Sequence, residues 1–330
     1  MASQTHVTHE LTETIAELTA TNRQHRDQDV EARLVRLRAQ AFEAMAPGEP
    51  PEPWPASQPD LFPGISTLPE VDVRELDVRV LASALEHHGG LVVRRLFPPH
   101  RVDQLVGDID HTMAAIRRVI DGGSPQGEAP WFVPFRAQGN DLGGPGRYWA
   151  AAGGTVWAAE SPRSFFDLIE AFDEIGLRDL LTDYFQESVV LSVVKTSLRK
   201  LPPDAPGGWH QDAYVYGLAT RTVNVWAALS PCGTHTAPGL DLVPRKFHEL
   251  AEDLPPPPPL VPVSQSTIDR LGVDTPVYRP DFEPGDGVLF DSLLLHQTGT
   301  GEGFGTSRYG IESWFFSSST VPTEWVPLLY

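Results

Sequence analysis

The feature that most constrains this fold is a change of texture near residue 186. From there on the chain consists of short β-branched or aromatic runs: ESVVLSVVKTSLRKL, HQDAYVYG, TRTVNVWAALS, GLDLVP, TPVYRPDF, GDGVLFDSLLLHQTG and SRYGIESWFFSS. Gly, Pro and Asp separate them. Runs of that length and spacing read as strands of a sandwich or barrel. They follow about 185 residues of mostly helical pattern, and this segregation excludes a βαβ order, in which each parallel strand pair needs its own crossover. The expected class is α+β, an all-β core of antiparallel double sheet with helices packed outside.

The helical half divides in two. Leu11, Ile15 and Leu18, then Val30, Leu34, Leu37 and Phe42, recur at helical spacing up to about Met45. APGEPPEPWPASQPDLFPG at 46–64 is too proline-dense for helix or central strand. Residues 1–64 therefore read as a helical arm plus proline-rich linker, removable up to about residue 60 if it is only an arm or a homo-oligomer contact. Residues 65–330 read as the globular domain, helical over 65–185 with its sheet core over 186–320. Within it, LDVRVLASALEHHG predicts a helix that turns at Gly89 and Gly90 into the strand LVVRRLF, and 98–121 and 161–185 predict further helices. The Gly/Pro/aromatic stretch 122–161 reads as a lid or binding loop, and PPPPP at 255–259 as a stiff inter-strand loop.

Composition narrows the partners. A formal charge of −19 opposes a nucleic-acid ligand, which is bound through clustered Lys and Arg. No apolar run reaches the ~18 residues of a membrane span. The first twenty residues lack the basic start and apolar core of a secretory signal, so the cytoplasm is the default location. A single cysteine, Cys232, excludes an internal disulfide and any thiolate cluster. A metal site here must use imidazole and carboxylate.

GGWHQDAYVYG places His210 and Asp212 two residues apart, on one face if the chain there is extended. H-x-D alone means little. Of eleven histidines, His6, His9, His25, His87, His88, His100 and His111 lie in the helical half among charged neighbours, and His235, His248 and His296 join His210 in the β half. His296 follows LLL at the end of an apolar strand; alone it would be a core histidine. Taken with His210 and Asp212 it completes two imidazoles and a carboxylate, the set that holds non-haem Fe(II) on one face of its octahedron and leaves three positions open. The spacing requires the third ligand to arrive from a distant strand across the double sheet.

Five segments in order resemble the phytanoyl-CoA dioxygenase-like family of Fe(II)/2-oxoglutarate oxygenases. They are GGLVVRRLFPPHRVDQL, the strand and proline loop before WHQD, APGLDLVPRKFHEL, EPGDGVLFDSLLLHQTG, and Arg308 on the following strand; the likeness spans roughly residues 72 to 318. It implies a double-stranded β-helix (jelly roll, cupin-like), with His210, Asp212 and His296 as iron ligands. It implies further that Arg308 binds the distal carboxylate of 2-oxoglutarate with help from the Thr298 hydroxyl. Gln211 and Ser197 are weaker co-substrate candidates, with plain sheet packing as the alternative. Arg308 is notable without the family, since a guanidinium on an apolar strand needs a carboxylate, whether the co-substrate's or a structural Asp or Glu. One departure is the turn after Pro244, where Arg245, Lys246, Phe247 and His248 stand for the family's shorter G-S-H.

The implied cofactors are Fe(II), 2-oxoglutarate as co-substrate and O2. The implied reaction is hydroxylation or desaturation of an unactivated C–H bond, with release of succinate and CO2. Related halogenases carry a small residue in place of the carboxylate, so Asp212 favours hydroxylation or desaturation. Trp131, Phe132, Phe135, Arg136, Tyr148, Trp149, Tyr214 and Tyr216 are the candidate pocket wall. Arg136, Trp149 and Tyr214 are the expected contacts to a small-molecule substrate, an apolar or aromatic metabolite with an anionic group. Two other readings stay open: a cupin-like metal-dependent isomerase or hydrolase without 2-oxoglutarate, and a metal-free binding protein.

Overall fold

The computed structural model describes residues 2–46, 48–135, 153–252, 262–272 and 274–330. The chain opens with α1 (Ala2–Gln24) and α2 (Gln28–Ala44). Asp27 caps α2 by accepting the backbone N–H groups of Asp29 and Val30. The helical spacing read from the sequence forms a real stripe, since Ile15, Leu34, Leu37 and Ala41 are buried together against Phe166. There follow β1 (Glu70–Asp72), α3 (Val78–His87), β2 (Gly90–Arg94), α4 (Pro99–Ile120), β3 (Thr155–Trp157), α5 (Pro162–Glu174) and α6 (Leu177–Phe185). The second half contains β4 (Val189–Leu201), α7 (Ala213–Tyr216), β5 (Thr222–Ala228), β6 (Leu240–Leu242), α8 (Gln265–Gly272), β7 (Gly287–Phe290), β8 (His296–Thr298), β9 (Arg308–Ser317) and β10 (Pro327–Leu329).

Eight strands form one sheet in the order β1-β2-β7-β5-β9-β4-β10, with β3 also on β4. All its pairings are antiparallel except β1 with β2. β6 and β8 form a separate antiparallel pair. On one face of the large sheet Leu191, Val223, Val225, Leu289, Ile311 and Phe315 pack with Leu81, Ile109, Phe165 and Phe172 of the helices. On the other, Trp226, Val288 and Phe290 meet Leu240 and Leu242 of the small sheet. Both faces are covered, and all seven residues of β5 are accordingly buried. The molecule is thus α+β, a large antiparallel sheet between a helical layer and a two-stranded sheet.

Three local expectations are corrected. HQDAYVYG is not a strand: at Asp212 the backbone is helical (φ −64°, ψ −29°), and α7 follows until Gly217 ends it at φ +87°. TPVYRPDF makes only isolated bridges, Tyr278 to Leu242 and Phe282 to Cys232, because its prolines interrupt the ladder. Part of the expected loop 122–161 pairs as β3 with β4. PPPPP at 255–259 lies outside the described residues.

The arm is tied to the body through charge as well as packing. Glu31 of α2 is 1% exposed and accepts from Arg26 Nε (2.7 Å), Arg163 Nε of α5 (2.7 Å) and Asn22 Nδ2 (3.2 Å). Arg26 also grips Asp167 of α5 through both terminal nitrogens (2.5 and 3.0 Å). Removing one carboxylate from such a buried set leaves cations uncompensated, at a cost of about 3–5 kcal/mol. Glu31→Ala should lower the urea midpoint accordingly without changing the folded far-UV spectrum. Nearby, burial and the adjacent Asp167 raise the Asp108 carboxyl to about 8. A raised carboxyl favours the folded state below the unfolded value near 3.9 and loses that contribution as pH rises through the folded one. The thermal midpoint should therefore contain a component that falls between about pH 4 and 8, and Asp108→Asn should remove it.

Candidate metal centre

The backbone holds the site together. His210 and His296 are directly opposite each other in an antiparallel bridge, His210 N–H donating to His296 O at 2.9 Å and His296 N–H to His210 O at 3.0 Å. The third ligand therefore does not reach across the double sheet as expected; it sits beside the first. The chain then turns into α7, with Ala213 N–H bound to Ser292 O at 2.9 Å, and Asp212 is set at the helix start. One donor atom from each of His210, Asp212 and His296 lies within 4.8 Å of the others, the only such cluster among the described residues. The sequence places these three far apart; the bridge brings them together.

Each ligand candidate is oriented by a second bond. His210 Nδ1 bonds to Gly208 O (2.7 Å) and His296 Nδ1 to Leu294 O (2.9 Å). A carbonyl can only accept, so both imidazoles carry their proton on Nδ1 and turn the Nε2 lone pair inward. Asn224 of β5, fully buried, donates through Nδ2 to Asp212 Oδ2, leaving Oδ1 at 3.7 Å from His210 Nε2. Burial, reinforced by His296, pushes the His210 imidazole down to about 4, and burial also lowers His296. Burial raises the Asp212 carboxyl to about 7. Two neutral imidazoles and a dehydrated carboxylate, each with a lone pair aimed at one point, fit a single divalent cation of the kind that N/O sites select.

Arg308 opens β9 and is 0% exposed. One guanidinium nitrogen donates to Pro238 O (2.7 Å) and Gly239 O (2.8 Å), while Nε and the other terminal nitrogen have no partner. No Asp or Glu among the described residues pairs with it, so none of these residues is the structural carboxylate of the alternative reading. Burial and then Arg199 lower its pKa to about 10, which leaves it charged at neutral pH. Leu240, next after Gly239, pairs with Thr298. Thr298 shares a strand face with His296 by alternation, so the guanidinium and the Thr298 residue lie at one end of the small sheet.

The remaining candidates divide. Gln211 is committed elsewhere: its amide donates to Leu293 O (2.7 Å) and Glu249 O (3.3 Å) and accepts from Ala251 N–H (2.7 Å), bracing the neighbouring loop rather than offering a co-substrate contact. Ser197 lies on β4 opposite Glu312 of β9. Tyr214 is buried within α7. Phe132 and Phe135, expected in the lid, are core residues. His111 stacks on Trp131 at 4.5 Å between centroids. Arg136, Tyr148 and Trp149 lie outside the described residues. His235 and His248 are exposed.

Sequence reasoning missed Asn224 and three charged groups. Arg199 pairs with Glu312, and Lys195 Nζ lies 4.3 Å from the Trp314 ring. Burial opposes ionisation of Glu312, but Arg199 and Lys195 outweigh it and hold the carboxyl low. Their signal was present as a period of two, Lys195-x-Ser197-x-Arg199 on one strand and Arg308-x-Gly310-x-Glu312-x-Trp314 on its neighbour.

No protein-family model matches the chain, and no curated protein matches it. Among solved structures, it is similar to EctD from S. alaskensis, determined with 2-oxoglutarate and 5-hydroxyectoine. The identity is 16%, the TM-score 0.50, and the match covers 82% of this chain and 87% of that one. EctD with bound Fe matches at 16% identity and TM-score 0.47, over 80% and 84%. AviO1 from Streptomyces viridochromogenes Tue57 matches at 17% and 0.48, over 75% and 98%. At this identity the likeness to EctD establishes a shared fold.

Partners that orient a ligand typically contribute 10–100-fold in metal affinity. Asn224→Ala should weaken Mn(II) or Co(II) binding by about that factor while Asp212→Ala abolishes it. Calorimetric titration of the purified protein measures both.

Proposed function

We propose that this protein is a non-haem Fe(II)/2-oxoglutarate-dependent dioxygenase with a double-stranded β-helix core. It acts on an unactivated C–H bond of a small-molecule metabolite, in the manner of the phytanoyl-CoA dioxygenase-like family it resembles. The observation that carries the proposal is Arg308: a fully buried guanidinium with two nitrogens unpartnered and no carboxylate among the described residues in contact with it. Burying such a charge is unfavourable unless an anion completes it. A cupin-like isomerase or hydrolase needs no such clamp, and a metal-free binding protein needs neither the clamp nor the converging donors.

His210, Asp212 and His296 would hold the iron, which with 2-oxoglutarate and O2 supplies the oxidising chemistry that yields succinate, CO2 and a hydroxylated or desaturated product. The protein's own part is positioning. Gly208 O and Leu294 O keep both imidazoles in the tautomer that presents Nε2. Asn224 holds one carboxylate oxygen of Asp212, so that the other is free to ligate. Three protein donors would leave further coordination positions free for other ligands. Arg308, with Thr298, would grip the distal carboxylate of the keto acid as a charge-assisted pair, fixing its reactive end towards the triad. Phe290 packs edge-on against the His296 ring at 4.9 Å between centroids and holds that imidazole in place.

Anaerobic addition of Fe(II) and 2-oxoglutarate should produce the weak visible charge-transfer band of a chelated keto acid. Arg308→Met should weaken 2-oxoglutarate binding by more than tenfold while metal affinity stays unchanged. Loss of the band in Asp212→Ala, with succinate release abolished and the fold intact, is the companion result. Undiminished succinate release by Asp212→Ala would overturn the ligand assignment, and a full-strength band in Arg308→Met would overturn the clamp.

A further inference from the structure

A second buried cation lies in a different part of the molecule. Where α1 and α2 pack on the end of the chain they leave a cavity of about 270 Å³, lined by Arg23, Arg38, Asp173, Arg178, Leu329 and Tyr330 among others. Two of the three arginines are matched: Arg23 by Glu170 at 2.6 Å and Arg178 by Asp173 at 3.0 Å. Arg38 is not. It is 5% exposed, it spends one nitrogen on Leu329 O at 2.9 Å, and no carboxylate among the described residues pairs with it. Burial and the neighbouring Arg178 lower its pKa to about 10, which leaves it cationic at neutral pH. The Tyr330 hydroxyl, in a side chain 6% exposed, makes no hydrogen bond of normal geometry, although the Asp173 carboxylate lies near enough to help raise its pKa.

A guanidinium fork with no paired carboxylate and only the longer-range charges of Asp173 and Glu170, a phenol without a normal hydrogen bond and room for several heavy atoms share one chemical requirement. A group with two or more acceptor oxygens and a negative charge meets all of it, because the planar fork matches carboxylate and phosphate oxygens. We propose that this cavity is a binding site for the oxyanion of a small metabolite, a carboxylate or a phosphate, with Arg38 as its counter-charge and the Tyr330 hydroxyl as a further donor. None of the metal-centre residues lines it, so the site is separate from the proposed chemistry. Its walls come from α1, α2, α5, α6 and β10, so an occupant joins the N-terminal helices to the edge of the large sheet and would stabilise that junction.

The test is calorimetric titration of the metal-free full-length chain with inorganic phosphate and, separately, with malonate, ionic strength being held by chloride. We expect saturable one-to-one binding of at least one of them, weakened at least tenfold by Arg38→Met and unchanged by Arg308→Met. Binding of phosphate only points to a phosphorylated metabolite and of malonate only to a carboxylate. Three results would overturn the proposal: no saturable binding beyond chloride, as for a water-filled cavity; binding that survives Arg38→Met; and binding lost in Arg308→Met, which would put the anion in the metal centre. Should Arg38→Met fail to fold, Arg38→Gln, which keeps a polar group but no charge, must show the same tenfold loss.

Discussion

The reciprocal backbone pairing of His210 with His296 is the constraint on which the candidate site depends. Two hydrogen bonds of 2.9 and 3.0 Å fix the two residues face to face, and the ring centroids stand 4.3 Å apart as a result. A single bridge in an otherwise irregular segment could slip. Here it is held from both sides, by the β6–β8 pair beyond His296 and by the turn into α7 beyond His210. Asp212 gains its position from the end of that bridge, and Asn224 reaches it from the large sheet.

The sheet face towards the small sheet carries an electrostatic pattern that the opposite face lacks. Apolar side chains meet the helices, whereas the buried Arg308 and the half-buried Arg199 and Glu312 lie on the face that carries Trp226 and Trp314. Such charges are tolerated in a core only when paired, stacked or ligand-bound. Arg199 and Glu312 are paired, and Lys195 lies over the Trp314 ring. Arg308 is stacked near Trp226, at 5.2 Å from the ring centroid, but only partly hydrogen-bonded. That incomplete member is the feature on which the proposed co-substrate contact rests.

Legibility followed the range of the interaction. The helices and the long strands β4, β5 and β9 were readable, because periodicity is local. The span 213–216 was misread as strand: AYVY has strand composition, but the turn that binds Ala213 N–H to Ser292 O recruits it into helix, a tertiary contact overriding propensity. Phe132 and Phe135 looked like a lid because Gly and Pro surround them, yet they fill the core against α4 and α5. Gln211 looked like a co-substrate contact because it lies between two ligands, yet its amide braces the loop that includes Glu249 and Ala251.

The residue types needed for the proposed chemistry, two histidines, one aspartate and an arginine on an apolar strand, were determined by the sequence alone, as was the absence of a thiolate cluster. A side chain's donors and its strand periodicity belong to the chain itself. Only the tertiary structure decided that His210 faces His296, that Asn224 orients Asp212, and that Arg308 and Arg38 are buried with no paired carboxylate among the described residues. Those facts depend on which distant segments pair and on what burial removes from water, and neither is a property of neighbouring residues.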